Sequence, residues 1–119
     1  MLVIAAPGQG AQTPGFLSPW LELPGFADRL AAWSELAGVD LVRYGTTADA
    51  AEIRDTAVAQ PLLVAAAIAA AEALFGGLDA ARAQAGVLAG HSVGELAAGA
   101  IAGVLSPEDA LRLVRVRGE

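Results

Sequence analysis

The sequence predicts an α/β fold, a short parallel sheet flanked by helices, and two observations carry that prediction. Two compact apolar runs, Leu2 to Ala6 and Gly86 to Ala89, each open directly into a glycine-rich loop and read as strands. Between and after them, apolar residues recur at helical spacing, and strands separated by helices pair in parallel. No internal repeat or low-complexity linker interrupts the 119 residues, so they read as one unit.

In chain order, Leu2 to Ala6 contains β-branched Val3 and Ile4 and suits a strand buried on both faces. Pro14 to Pro24 is loop-like, pinned to the body by Trp20 and Leu21. Phe26, Leu30, Trp33 and Leu36 recur at helical spacing over Gly25 to Ala37, and Gly38 follows as a stop. Thr47 is placed to cap a short helix through Arg54, with Asp49 and Glu52 favouring its dipole.

Gln60 and Pro61 open the next helix, proline being acceptable at a first helical position, and the run to Phe75 is apolar nearly all round, which implies burial on several sides. Gly76 and Gly77 end it, and the residues to Gln84 read as a surface connection carrying Asp79 and Arg82. After the second strand, Glu95 to Val104 reads as a helix packed on small residues. Ser106, Pro107, Glu108 and Asp109 are a helix start: a cap, proline at the first position, then two acids. The last helix runs through Leu113, Val114 and Val116.

Composition removes several function classes. There are no cysteines, which excludes disulfides, thiolate metal sites and cysteine nucleophiles. A net charge of −6 with no basic cluster argues against nucleic acid or an anionic membrane as partner. All seven basic residues are arginine and alanine fills about a quarter of the chain, a compositional bias that carries no function by itself. The longest apolar run, Pro61 to Leu74, carries Glu72 and falls short of the roughly 20 residues a spanning helix needs. The N-terminus lacks a signal peptide's charge pattern and meets Pro7 and Gly8 at once. The expectation is a soluble, cytoplasmic chain.

The chemistry concentrates in three places. Gly90-His91-Ser92-Val93-Gly94 is a Gly-x-Ser-x-Gly pattern between a strand and a helix, the setting in which a sharp turn aims a serine oxygen out of a sheet. Ser92 then stands at a helix N-terminus, where free N–H groups favour developing negative charge. Read alone, the five residues also fit a glycine turn with a serine cap. Pro7-Gly8-Gln9-Gly10-Ala11-Gln12 is a loop whose backbone can approach a ligand, or an ordinary turn after a strand; it lacks the ending of a phosphate-binding loop. Arg112 and Arg115 can face solvent, whereas Arg117, three and four residues from Val114 and Leu113, falls on or beside the apolar face. An arginine there needs an anionic partner, a structural salt bridge, or a snorkelling stem. Gln60 is the polar residue where its helix enters the core, and capping is the simpler reading of it.

Taken together, Pro-Gly-Gln-Gly-Ala-Gln at 7 to 12, Ala59-Gln60-Pro61, Gly-His-Ser-Val-Gly-Glu at 90 to 95 and Leu-Val-Arg-Val-Arg-Gly at 113 to 118 resemble the malonyl-CoA:acyl carrier protein transacylases of fatty acid synthesis and the related acyltransferase domains of polyketide synthases. The resemblance covers the whole chain and favours the discrete enzyme over the modular domain, because the chain begins just before its first strand. It implies an α/β-hydrolase-like core with a nucleophile elbow, of which residues 1 to 119 are the N-terminal part of the large subdomain.

By the same resemblance Ser92 is the nucleophile that takes malonyl from CoA and yields it to the phosphopantetheine thiol of acyl carrier protein. The backbone N–H groups of Gln9 and Val93 form the oxyanion hole, Arg117 pairs with the malonyl carboxylate, Gln60 lies near the acyl group, and His91 lines the site without being the base. No metal or cofactor is implied beyond malonyl-CoA and the carrier's phosphopantetheine. The family's catalytic histidine lies on a segment far downstream of the serine, and its ferredoxin-like subdomain would begin after Glu119. His91 is the only histidine here, so the expectation is a fragment of a longer enzyme, inactive alone. A non-catalytic domain binding an acyl-CoA or a carrier protein is the alternative.

Overall fold

The computed structural model describes residues 1–118, so the expected domain end at Glu119 lies outside the described residues. Strand β1 (Leu2–Ala6) leads through a loop and a single 3-10 turn (Ser18–Glu22) to helix α1 (Phe26–Ala37) and short helix α2 (Leu41–Thr46). A second 3-10 turn (Glu52–Arg54) precedes α3 (Thr56–Phe75) and α4 (Leu78–Gln84), then come β2 (Ala85–Gly90), α5 (Gly94–Ala102) and α6 (Pro107–Gly118). The two strands pair in parallel, Val3 opposite Val87, Ile4 opposite Leu88 and Ala6 opposite Gly90. The α/β class, the parallel pairing and the flanking helices are as the sequence predicts.

The core lies among the helices, not around the sheet. Helix α3 is its axis, with α6 and α5 packed along it and α1 against both α3 and α6. Leu30, Leu62, Ile68, Leu111 and Val114 are fully buried there, each such side chain contributing about 1.5–3 kcal/mol of transfer free energy. Ala59, Ala65, Ala97 and Ala110 are equally inaccessible, and their small size lets the helix axes approach. The all-round apolar character of α3 is explained by this burial on several sides. Its 20 residues make it long and apolar enough to cross a membrane, but the positions from Val58 to Ala71 are largely buried inside this fold.

Several expectations are corrected. Helix α3 starts at Thr56, capped by Asp55 Oδ1 accepting from the Ala57 N–H at 2.9 Å, so Pro61 stands inside the helix and Gln60 is not its cap. The proline removes one N–H from the ladder, a loss confined to the second turn. Of the short helix expected through Arg54 only the 3-10 turn Glu52–Arg54 forms, with Asp49 Oδ1 accepting from the Glu52 N–H at 2.8 Å, and Thr47 instead ends α2, whose own cap is Asp40 accepting from the Arg43 N–H at 3.1 Å. Residues 78–84, expected as a surface connection, form α4, because Ala81 buries against Ile101 and Ala71. Helix α5 ends at Ala102, where Gly103 takes φ 85°.

The strands are not buried on both faces. Ile4 and Leu88 face the helices, packing near Ala71 and Ile101, while Val3 and Val87 on the opposite face are 51% and 43% exposed. A parallel pair is expected to be covered twice, and the described helices cover one side.

Candidate active site

The turn between β2 and α5 is built by steric necessity. A Cβ on Gly90 would stand 2.3 Å from the Gly94 carbonyl oxygen, and one on Gly94 would stand 2.3 Å from that of Ala6. Both obstacles are backbone, so both glycines of the Gly-x-Ser-x-Gly pattern are required by close packing of β1, β2 and α5. Ser92 between them takes φ 56°, and it is the only non-glycine among the described residues with positive φ. That conformation costs an L-residue about 1–2 kcal/mol, and such strain concentrates where a side chain must be aimed. Here it presents the Ser92 hydroxyl to solvent at the start of α5.

Ser92 Oγ accepts a hydrogen bond from Arg117 Nη2 at 3.0 Å. Arg117 is therefore at the serine, but not on the buried face of α6, which is formed by Ala110, Leu111, Val114 and Gly118. Of the two neighbours used to place Arg117, Val114 is fully buried and Leu113 is 50% exposed, so Arg117 stands beside the buried stripe and not within it. The ion pairs among the described residues use Arg29, Arg43, Arg82 and Arg112, and Arg117 has no carboxylate partner there. The last turn of α6 is held by contact with α3: a Cβ on Gly118 would lie 3.1 Å from the Thr56 carbonyl oxygen.

The glutamine loop docks on both sides. Gly8 lies under the His91 ring, a Cβ there standing 2.6 Å from Nδ1, and the His91 N–H donates to the Ala6 carbonyl at 3.1 Å. His91 thus braces the loop against the turn and makes no hydrogen bond to Ser92. On the far side Gln9 Nε2 donates to Thr56 Oγ1 at 3.1 Å and to the Arg54 carbonyl at 3.5 Å. Gln60 Nε2 donates to Gln9 Oε1 at 3.4 Å, while Gln60 Oε1 is buried without a partner. Gln12 Nε2 donates to the Ile53 carbonyl at 3.1 Å, and its Oε1 accepts from the Gly10 N–H at 2.8 Å.

Among the described residues, neither the Gln9 N–H nor the Val93 N–H meets an acceptor. For Val93, which is fully buried, that is unusual, since buried backbone donors are nearly always paired. The six sequence-predicted residues therefore form two bonded pairs, Ser92 with Arg117 and Gln9 with Gln60, joined where Gly8 meets His91, with the Val93 N–H free beside the serine. Thr56, the Arg54 carbonyl and Gln12 belong to the same network and were not singled out from the sequence; only Gln12 lay inside a motif. A cleft of about 470 Å³ between α1 and α3, lined by Phe26, Arg29 and Glu72, is separate from this network.

This geometry stands beside a direct family match: the model of the acyl transferase domain matches residues 5–119. The chain belongs to the acyl transferase domain family. It is 56% identical over 123 aligned positions to the malonyl CoA-acyl carrier protein transacylase of Mycobacterium tuberculosis, covering 99% of this chain and 39% of that protein. The crystal structure of that organism's MCAT superposes with a TM-score of 0.89 over 99% of this chain and 39% of its own, at 56% identity. A malonyl-transacylase solved with its type II polyketide synthase acyl-carrier protein superposes with a TM-score of 0.83 at 30% identity, over 98% of this chain and 37% of its own. The chain thus spans about two fifths of the length of the acyl transferases it matches.

Proposed function

We propose that the protein carrying this chain transfers a malonyl group from malonyl-CoA to the phosphopantetheine thiol of an acyl carrier protein through an ester on Ser92, with the Gly90–Gly94 turn serving as nucleophile elbow of an α/β-hydrolase-like core. The observation that carries the reading is the Arg117–Ser92 contact, a guanidinium 3.0 Å from a serine oxygen held at φ 56°. Relatives named as malonyl transacylases support the substrate and carrier.

In the first half-reaction Ser92 Oγ attacks the thioester carbonyl, and its proton passes to a general base. The carbonyl oxygen becomes an oxyanion at the free N–H groups of Gln9 and Val93; losing one such donor typically costs about 10²- to 10³-fold in rate. The C–S bond then breaks and the CoA sulfur leaves as a thiol after taking up the proton. The carrier thiol repeats the sequence in reverse roles. Arg117 offers a planar fork to the malonyl carboxylate, which an acetyl group would leave unpaired. His91 is engaged with Gly8 and not with Ser92, so the base is assigned to a residue beyond those described. The proposed compartment is the cytoplasm, and no cofactor is assigned to the chain itself.

The test is peptide mass spectrometry of the protein after incubation with malonyl-CoA. A malonyl adduct on Ser92, lost in Ser92→Ala and discharged by carrier protein, is the expected result. Retention of malonyl-CoA without any adduct would instead establish a binding domain.

A further inference from the structure

We infer that Thr56 is a positioning residue for the oxyanion donor: by accepting from the Gln9 side chain it orients the loop whose backbone N–H faces the reacting carbonyl. This rests on the acyl-transfer reading and adds to it the first residue of α3.

Beyond the packing of Gly8 under His91, little else holds the loop. Between Pro7 and Gln12 the backbone closes on itself once, Ala11 N–H to the Gly8 carbonyl at 3.4 Å, a long bond. Gly10 sits at φ 111° with nothing within 4 Å of a would-be Cβ, so the loop is not packed in place there. Its direction comes from the two glutamine side chains reaching across to residues 53 to 60. Gln12 bonds the Ile53 carbonyl at 3.1 Å, and Gln9 bonds Thr56 Oγ1, also at 3.1 Å. The Gln9 bond matters more for chemistry, because it pins the residue whose own N–H is unpaired. The remaining Gln9 contacts, at 3.5 Å to Arg54 and 3.4 Å to Gln60, are long enough to be secondary.

Thr56 is itself placed by the fold. It is the first residue of α3, directly after the Asp55 cap, and its carbonyl is in close contact with Gly118 beside Arg117. One helix start therefore touches both the loop carrying the oxyanion donor and the helix end carrying the anchor for the acyl carboxylate. A donor misplaced by about 1 Å costs up to about 100-fold in rate.

The experiment compares Thr56→Val and Thr56→Ser in the protein carrying this chain, measuring malonyl transfer to carrier protein. Valine keeps the shape and removes the acceptor, so kcat is expected to fall about tenfold or more with KM for malonyl-CoA little changed, and serine is expected to restore it. Gln9→Ala keeps the backbone N–H while removing the tie; it should match Thr56→Val, and the double variant should be no worse than either single. Hydrogen exchange of residues 8–12 should quicken in Thr56→Val, a readout independent of turnover. Full activity in a folded Thr56→Val overturns the inference, as do additive losses in the double variant. Failure of the unsubstituted protein to form the Ser92 ester overturns the transfer reading instead.

Discussion

Arg117 and Ser92, 25 residues apart and on different helices, meet through one hydrogen bond of 3.0 Å from Nη2 to Oγ. A guanidinium has five N–H donors in a fixed fork, so a bond to the hydroxyl leaves the other edge for a carboxylate. The contact therefore holds a guanidinium beside the Ser92 hydroxyl with donors to spare.

From this follows the first prediction. Arg117→Ala should lower kcat/KM for malonyl transfer by about 10- to 100-fold, the worth of a charge-assisted hydrogen bond, and lower acetyl transfer far less. Arg117→Lys should fall between, keeping a point charge without the fork. Parallel assays with malonyl-CoA and acetyl-CoA decide it; equal losses on both would restrict Arg117 to a role at the serine.

The backbone at Ser92 predicts an inverted stability order. Glycine normally destabilises relative to alanine, but at φ 56° alanine bears a steric cost that glycine does not. Ser92→Gly should therefore unfold about 1 kcal/mol less readily than Ser92→Ala, although both lack the hydroxyl and neither can be acylated. Thermal or urea unfolding of the pair measures it, and alanine melting above glycine would refute the strain.

What the sequence made legible was whatever its local chemistry determines. Gly38 closes α1 in the left-handed conformation, and Ser106 Oγ accepts from the Asp109 N–H at 3.0 Å as the cap signal requires. The Ser92 turn was readable because two glycines flank it, and the structure supplies the backbone clashes that make them necessary. The start of α3 was not readable: Pro61 is a strong signal for a first turn, while Asp55 gives the actual cap and the helix tolerates the missing N–H. Burial of the strands was misjudged because apolar composition records the environment a strand is suited to, and only one side of this sheet is covered here. Arg117 falls beside the buried stripe of α6, which runs through Ala110, Leu111, Val114 and Gly118, but its spacing did not report that its partner is the Ser92 hydroxyl. The part played by Thr56 is a long-range hydrogen bond, which no spacing rule reports.

Arg82 shows how a residue read as surface charge can hold a helix end. Its Nε donates to the Ile101 carbonyl at 2.7 Å, near the C-terminus of α5, and its Nη1 pairs with Asp79 at 2.9 Å. The first bond satisfies a terminal carbonyl, whereas the Asp79 side chain is 98% exposed and its pairing is screened by solvent. Arg82→Ala should cost about 1–2 kcal/mol and Asp79→Ala less than about 0.5 kcal/mol, measured by denaturant unfolding. Equal effects would place the stabilisation in the ion pair.

The uncovered sheet face makes the last prediction. Val3 and Val87 lie opposite one another on paired strands and are about half exposed, and the two strands between them have no third strand among the described residues. Unpaired edges beside an open apolar face favour association with another chain. A polypeptide of these 119 residues alone should self-associate as its concentration rises, with Val87→Lys shifting it toward monomer in sedimentation velocity. Because Val87 points away from Ile4, Leu88 and the helices behind them, the lysine should leave the helical core intact, and far-ultraviolet circular dichroism should be unchanged. Leu88→Lys, on the covered face, should instead unfold the strand pair. If Val87→Lys and the parent polypeptide associate equally, the sheet face is not the contact, and the exposed ends of α3 and α6 at Leu74 and Val116 become the surfaces to test.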